Sequence, residues 1–584
     1  MVTEDDRAFD RTVDVLIVGS GGGGMTAALT AKAAGLDAVV VEKSAHFGGS
    51  TALSGGGIWV PGAPAQRREG YVPRPEQVLH YLEQITDGLV GDARLRAYVD
   101  NAPAMMAFLE NLSDWLEFVW KPGYADYYPE LPGGSALGST INVPPIDLRA
   151  LGDDEQYLLA PVALAPKGLW LGPKDLRSFY RVRQTWEGKM VMLRLVSRLA
   201  RARLFGTRIA AIGQSLVARL RLAMRELDVP LWLQTPLSSL VTDADGTVVG
   251  AVIERHGRPM RIGARGGVVL AAGGFDRDRA WRKEQQPALE EDWSFGNPLN
   301  TGDAIRAGID AGAATDRMDE AWWFPALRWP DGRMQFMLNE RMMPAQFIVN
   351  GAGERFINEA APYTDFGHAM LAGQETDTTH IPCWLITDHH SWTHYVVGGH
   401  LPLPRIPFAP VPTGGRVPQA WLESGVVVAA DSWDELARKI AVPADGLRRT
   451  ADRFNSLAAT GRDDDFHRGE STYDNYYGDP TLPNPNLAPL RTPPYYAFRI
   501  VLGDLGTCGG LRTDEHARVV RTDDTPIDGL YAVGNTSATV MGRSYAGAGA
   551  TIGPAMTFGY VAAHHIRGRL GHGTRQTTAE REQA

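Results

Sequence analysis

Between residues 19 and 24 the chain reads Gly-Ser-Gly-Gly-Gly-Gly, and few folds can use such a run. It fits the spacing G-x-G-x-x-G. It follows an apolar, β-branched segment at 12–19 and opens a run of small residues at 21–34 whose composition predicts a helix. A second apolar segment at 37–41 predicts a parallel strand and completes a βαβ unit. In that setting Gly19, Gly21 and Gly24 allow the tight turn and bring the N–H groups of a helix N-terminus against a diphosphate. Glu42 ends the second strand about twenty residues on, where an acid accepts from ribose hydroxyls and disfavours a 2′-phosphate. Lys43, next to it, is grouped with the same site.

A second small-residue stretch follows at 48–57. Gly49, Ser50, Thr51, Ser54, Gly55 and Gly56 offer backbone that a diphosphate and a flat ring can approach, which a nicotinamide dinucleotide alone does not require. Two further apolar runs also end in glycine. One, at 267–272, leads into Gly273 and Gly274 after a hairpin turning at Asp245-Gly246; the other, at 529–533, leads into Gly534. Strand ends of this kind at three distant places predict an α/β protein. Its Rossmann-type doubly wound domain is built from both ends of the chain, 10–278 and 489–570, around an inserted α+β substrate domain at 279–488. Residues 571–584 read as a fraying polar tail. Ala272, Gly273, Gly534, Asn535, Thr551 and Ile552 complete the expected cofactor-binding set.

Net charge narrows the partners. At -10 the chain has no global basic field to hold nucleic acid. Its two cysteines, Cys383 and Cys508, are too few for an iron–sulfur cluster or a four-thiolate zinc site. His389, His390 and His394 include an i, i+4 pair, but the intervening Trp and Thr favour packing over a metal, and no metal is expected. The first fourteen residues are acidic and lack a secretory pattern, so the cytoplasm is the expected compartment. The segment 188–225 departs from the average: it carries eight arginines and no acid among Leu, Ala and Met. It reads either as a solvated helix over an apolar core or as a peripheral contact with a membrane surface.

The glycine loop and Glu42, with AAGGF at 271–275 and GLYAVGN at 529–535, resemble the flavoprotein family of succinate dehydrogenases and fumarate reductases. The resemblance implies FAD. Ser50 stands where covalent members have a flavin-bearing histidine, which implies noncovalent FAD. Fumarate reductases clamp a dicarboxylate with arginines, because carboxylates need charged bidentate donors. At the corresponding positions this chain has Tyr363, four residues after Glu359, and Tyr545, while Leu505 and Gly506 replace the paired histidines. Tyrosines there suit a largely neutral substrate with a polar handle.

GYADYYPELPGG at 123–134, NEAAPY at 358–363, GDLGTCGGL at 503–511 and MGRSYAGAGATIGPAMTFGY at 541–560 resemble 3-ketosteroid Δ1-dehydrogenases. That resemblance implies that the Tyr545 hydroxyl and the Gly549 N–H hold the steroid C3 carbonyl oxygen. Tyr363 then takes the C2 proton with help from Tyr127, or from Tyr128 one residue on, and the C1 hydride passes to the flavin. A quinone-like acceptor completes the cycle. The alternatives are a 4-dehydrogenase on 3-oxo-5α-steroids and a related flavin ene-reductase. Trp322, Trp323, Phe324 and Trp329 read equally as lining of an apolar cleft or as core, and Asp303 as a helix cap.

Overall fold

The computed structural model describes residues 8–160, 173–289, 293–406 and 412–571. Two sheets organise them. In the larger sheet, strands Arg518–Val520, Pro526–Ala532, Arg258–Leu270, Arg11–Val18, Ala38–Val41 and Leu231–Trp232 lie side by side, and every pairing after the first is parallel. Register places Ile17 against both Val40 and Val269, and Val269 against Tyr531. Strands from the two ends of the chain therefore stop at one edge. Gly19, Glu42, Ala271 to Gly273 and Gly534 all lie just beyond it, where a doubly wound sheet binds its ligand.

The first helix, Gly22–Ala33, packs against the last one, Ile552–Arg569, at backbone distance. A Cβ on Gly23 would stand 2.8 Å from the Ala555 carbonyl oxygen, and one on Gly559 2.4 Å from that of Gly23. Only residues without a side chain permit this approach, which explains the small-residue composition of both helices.

Strand Arg258–Leu270 runs longer than its apolar core suggests. Its first half pairs with Val248–Arg255, which in turn pairs with Leu237–Thr242, and Asp243 Oδ1 accepts from Asp245 and Thr247 N–H to close the turn at Gly246.

The second sheet is antiparallel, in the order Met334–Phe336, Ala321–Arg328, Tyr495–Thr507, Cys383–Asp388, Gln346–Val349, with Val427–Ala430 also on Tyr495–Thr507. The strand Tyr495–Thr507 belongs wholly to this sheet, so the chain leaves it for the nucleotide-binding sheet only after Thr507. Strand Ala321–Arg328 shows why composition could not assign its aromatics. Trp322 and Phe324 face one cluster, with Tyr363 and Tyr545, and Trp323 packs on the opposite side with Trp392 and Phe498.

The basic segment 188–225 is not one helix. It spans two, Trp186–Phe205 and Ile212–Glu226, separated after Gly206. The second is buried against the first βαβ unit, and its Arg219 donates to the Trp115 and Pro144 carbonyls at 2.7 and 3.2 Å. Only the first faces outward. Among the described residues no helix is long and apolar enough to cross a membrane.

Replacing Gly559 by valine should destabilise the fold by about 1–3 kcal/mol through overpacking. Thermal unfolding of the variant should show a lowered midpoint, accompanied by lower flavin content in the purified protein.

Candidate active site

The glycine loop is held open from outside itself. The Gly22 N–H donates to Thr51 Oγ1 at 3.0 Å, and the Gly19 conformation, with φ at +109°, leaves no room for a Cβ against Ala271 O at 2.3 Å. Glu42 accepts from the Ser20 N–H and hydroxyl at 3.0 and 2.7 Å through one oxygen and from the Ser44 N–H at 2.9 Å through the other. The helix Gly22–Ala33 has no acid in its first turn, and Gly55 borders open space. An anion-accepting helix N-terminus, a fixed carboxylate and backbone without side chains fit an adenine dinucleotide.

Lys43 turns elsewhere. Its ammonium is 2.6 Å from Asp303 and 2.7 Å from the Thr301 hydroxyl, which ties the start of helix Asp303–Asp310 to the end of strand Ala38–Val41. Asp303 is the first residue inside its helix, and Gly302 holds the cap position in a left-handed conformation that Asp303 does not adopt. Ser50 accepts from the Asn297 N–H at 3.2 Å and the Asn300 amide at 3.1 Å. Asn300 also donates to Asp276, which is fully buried and shares Ser294 with Asp504. Burial and the neighbouring Asp504 charge push the Asp276 carboxyl well above its usual range. This junction of the two sheets carries no sequence signature, because its members are scattered over more than two hundred residues.

Three of the singled-out tyrosines converge. Tyr127, Tyr363 and Tyr545 are each at most 5% exposed. Their ring centroids lie 5.5 Å apart for Tyr127 and Tyr363, 5.5 Å for Tyr127 and Tyr545, and 5.2 Å for Tyr363 and Tyr545. Tyr128 does not join them; its hydroxyl donates to Asp365 Oδ1 at 2.7 Å. Each of the three is set by a different element. Tyr363 opens the helix Tyr363–Gly373 directly after Pro362, and the preceding loop is tied down by a buried network in which Arg355 bridges Glu359 and Asp463 at 2.7 and 2.6 Å. Tyr127 is fixed by its N–H donating to the Ala546 carbonyl at 3.1 Å. Tyr545 stands on the loop leading to the last helix, its hydroxyl 3.0 Å from that of Thr551.

Backbone N–H groups of Thr551 and Gly549 also lie near the Tyr545 phenol, which brings Tyr545 and Gly549 to one spot. They draw its pKa down, but burial dominates and leaves it raised. Burial likewise lifts Tyr363 well above the ordinary phenol value; a hydrogen bond from Tyr127 acts in the opposite direction and is outweighed.

Other aromatics line the same place, two of which, Trp322 and Phe324, the sequence leaves open between cleft lining and core. Tyr473 packs 4.7 Å from Tyr127, Trp322 stands edge-on to Tyr545 at 5.0 Å, and Phe324 lies 4.7 Å from Tyr363. Tyr124 joins from the same loop as Tyr127, at 6.5 Å. Arg341, fully buried behind them, donates to the Met337 carbonyl at 3.0 Å, and its charge favours ionisation of Tyr124 and Tyr473. The YDNYY cluster at 473–477 was the available signal for this wall. The histidines sit apart from it; His390 and His394 stack at 3.9 Å, and the His394 ring meets the His390 carbonyl at 2.7 Å.

The profile of the FAD binding domain family matches residues 14–552. The chain is 42% identical to the 3-oxosteroid 1-dehydrogenase of Mycolicibacterium smegmatis over 95% of its own length and 97% of that protein's. The chain belongs to the FAD-binding family that contains the 3-oxosteroid 1-dehydrogenases. It is an FAD-dependent oxidoreductase. Its structure is similar to that of 3-ketosteroid Δ1-dehydrogenase from Sterolibacterium denitrificans in complex with 1,4-androstadiene-3,17-dione, with a TM-score of 0.86 at 38% identity, covering 96% of this chain and 100% of that one. A further relative, the 4-oxocyclohex-2-ene-1-carboxylate 5-dehydrogenase of Sinomonas cyclohexanicum, is 34% identical over 95% of this chain and 93% of that protein.

Thr51→Val should leave the Gly22 N–H without its acceptor, at about 1–3 kcal/mol. FAD titration of the apoprotein should show affinity weakened by about tenfold or more, with secondary structure unchanged by circular dichroism.

Proposed function

We propose that the protein removes the C1 and C2 hydrogens from ring A of a 3-ketosteroid. One observation carries this reading: three buried phenols meet beside a loop N–H, where a dicarboxylate enzyme would need arginines. The named activities of the relatives and the steroid in the related structure support it.

The Tyr545 hydroxyl and the Gly549 N–H donate to the C3 carbonyl oxygen. Each such donor, prearranged in a dry site, lowers the barrier by about 3–4 kcal/mol as enolate charge develops. That polarisation acidifies the C2 hydrogen, and Tyr363 takes it as a proton. Tyr127 stabilises the Tyr363 oxygen by hydrogen bonding. Gly19, Gly21, Gly24, Glu42, Gly49, Ser50, Thr51, Ser54, Gly55, Gly56, Ala272, Gly273, Gly534, Asn535, Thr551 and Ile552 would hold FAD noncovalently, and when bound it would supply the acceptor for the C1 hydride. Cys383 and Cys508, the only cysteines of the sequence, are both buried and too few to bind a cluster, so the electrons leave to a carrier on another protein or to a small molecule, for which a quinone-like acceptor is our reading.

Anaerobic addition of 3-ketosteroids should bleach the flavin, and product analysis should place the new double bond at C1–C2. A double bond at C4–C5, or reduction by 4-oxocyclohexanecarboxylate alone, overturns the assignment. Tyr363→Phe should lower kcat by about 10²–10⁴-fold with steroid binding retained. Because the phenol must be ionised to accept a proton and burial raises its pKa, the rate should climb with pH and reach no plateau below about pH 10.

We also infer a peripheral contact with an anionic membrane surface at the cytoplasmic face through helix Trp186–Phe205. Val191, Leu195 and Ala202 are its buried face, yet Trp186, Met190, Leu193 and Leu204 form a second apolar stripe on the opposite side. Trp186 and Leu204 are 74% and 76% exposed, and Lys189, Arg201 and Arg203 flank the stripe. The turn before it reaches the tyrosine wall: Arg181 donates to the Tyr476 carbonyl at 2.7 Å, and the Tyr476 ring lies 4.6 Å from Tyr124. Substrates and quinones that partition into lipid would arrive beside the site. The protein should cosediment with phosphatidylglycerol vesicles, and Leu193→Glu with Leu204→Glu should abolish this without loss of activity on dispersed steroid. Equal recovery of both proteins in the supernatant at low salt refutes the contact.

A further inference from the structure

Next to Tyr127 the structure buries a carboxylate that the reaction itself does not use. Asp126 is 2% exposed and accepts from the Trp59 indole N–H at 2.8 Å, the Ser139 N–H at 2.9 Å, the Ser135 N–H at 3.2 Å and the Ser139 hydroxyl at 3.2 Å. These donors are all uncharged. Burial pushes the carboxyl up to about 7 even with them in place. A buried acid held only by neutral donors is costly to desolvate, and what offsets that cost is the set of buried donors that would otherwise lack an acceptor.

What it grips explains its presence. The Trp59 backbone N–H donates to the Gly549 carbonyl at 3.1 Å, so this one residue is held to the Gly549 peptide by its backbone and to Asp126 by its indole. A Cβ on Gly547 would stand 2.7 Å from the Trp59 indole and 3.1 Å from Asp126 Oδ1, so the carboxylate and indole lie directly against that backbone. The Tyr127 N–H donates to the neighbouring Ala546 carbonyl at 3.1 Å, and the Tyr81 hydroxyl donates to the same oxygen at 2.7 Å. One side chain thus touches the segments that carry Tyr127, Tyr545 and Gly549.

We propose that Asp126 is a positioning residue that fixes the spacing between Tyr127 and the carbonyl-binding pair Tyr545 and Gly549 by clamping Trp59 to the 135–139 turn. The proposal rests on the dehydrogenation reading above. Asparagine can keep the bonds that one oxygen makes to Trp59 and Ser139 N–H, but it turns an NH2 group toward the Ser135 N–H. Alanine loses all four bonds. Trp59→Phe keeps the carboxylate and removes only the link between it and the ring.

The test compares Asp126→Asn, Asp126→Ala and Trp59→Phe as FAD-loaded proteins. Expected for Asp126→Ala is a fall in kcat of about a hundredfold, the cost of displacing reacting groups by about 1 Å, with KM for the steroid changed by less than about threefold. Asp126→Asn and Trp59→Phe should fall between alanine and wild type. The absorbance band of bound 1,4-dien-3-one product, which moves to longer wavelength when the C3 carbonyl is polarised, should move less in the same order. Variants that match wild type in kcat and in this band shift overturn the proposal. So do variants whose losses track flavin content and unfolding midpoint alone, since that is a structural role. The wild-type control separates the two readings: if wild type neither bleaches with a 3-ketosteroid nor shifts the product band, the dehydrogenation reading has failed. If it does both and the variants equal it, only the role of Asp126 has.

Discussion

The contact of two glycine-bearing helices holds this molecule together. Gly23 and Gly559 allow Gly22–Ala33 and Ile552–Arg569 to meet at backbone distance, which brings the first and last thirds of the chain into one sheet. The dinucleotide loop immediately precedes the first of these helices, and the Tyr545 to Gly549 loop shortly precedes the second. Cofactor-holding and substrate-holding backbone are thereby mounted on the same rigid pair. A side chain at either glycine would separate the helices and move both loops at once.

Around that pair the inserted region is fastened both by an apolar cluster that runs from Met25 and Ile552 to Trp322, Phe324 and Tyr363 and by polar contacts. Lys43 reaches Asp303, Ser50 reaches Asn297 and Asn300, and Asp276 shares Ser294 with Asp504. Tyr363 comes from this domain, whereas Tyr127 and Tyr545 come from the other side. The geometry of the three phenols is consequently set by how the domains are pinned. The electrostatics follow from the same burial. With water excluded the phenols hold their protons, so a base among them must first be ionised, and a partner that hydrogen-bonds to the phenolate favours that state.

The chain's own pattern declared most of the nucleotide-binding domain. Gly19 to Gly24, Glu42 and the three glycine-ended strands lie where the sheet edge needs them, because each is a local solution to a turn, a cap or a close approach. The antiparallel sheet was less legible. Strand Tyr495–Thr507 pairs with Ala321–Arg328 and Cys383–Asp388, and no short-range pattern encodes partners more than a hundred residues away. The arginine-rich run at 188–225 misled as a unit, since arginine counts do not reveal that Arg219 is buried on backbone carbonyls while the helix before it faces out.

By itself the sequence determined the dinucleotide loop, and it carried tyrosines at 363 and 545 in stretches whose resemblance to fumarate reductases implies arginine there. These are matters of residue type and spacing, which a chain carries before it folds. Only the tertiary structure decided that Tyr127 and not Tyr128 faces Tyr363, that Trp322 and Phe324 wall the site while Trp323 packs behind, and that Asp126 grips Trp59. Each of those choices turns on which side of a loop or strand a side chain leaves, and that is fixed by partners brought together from distant parts of the chain.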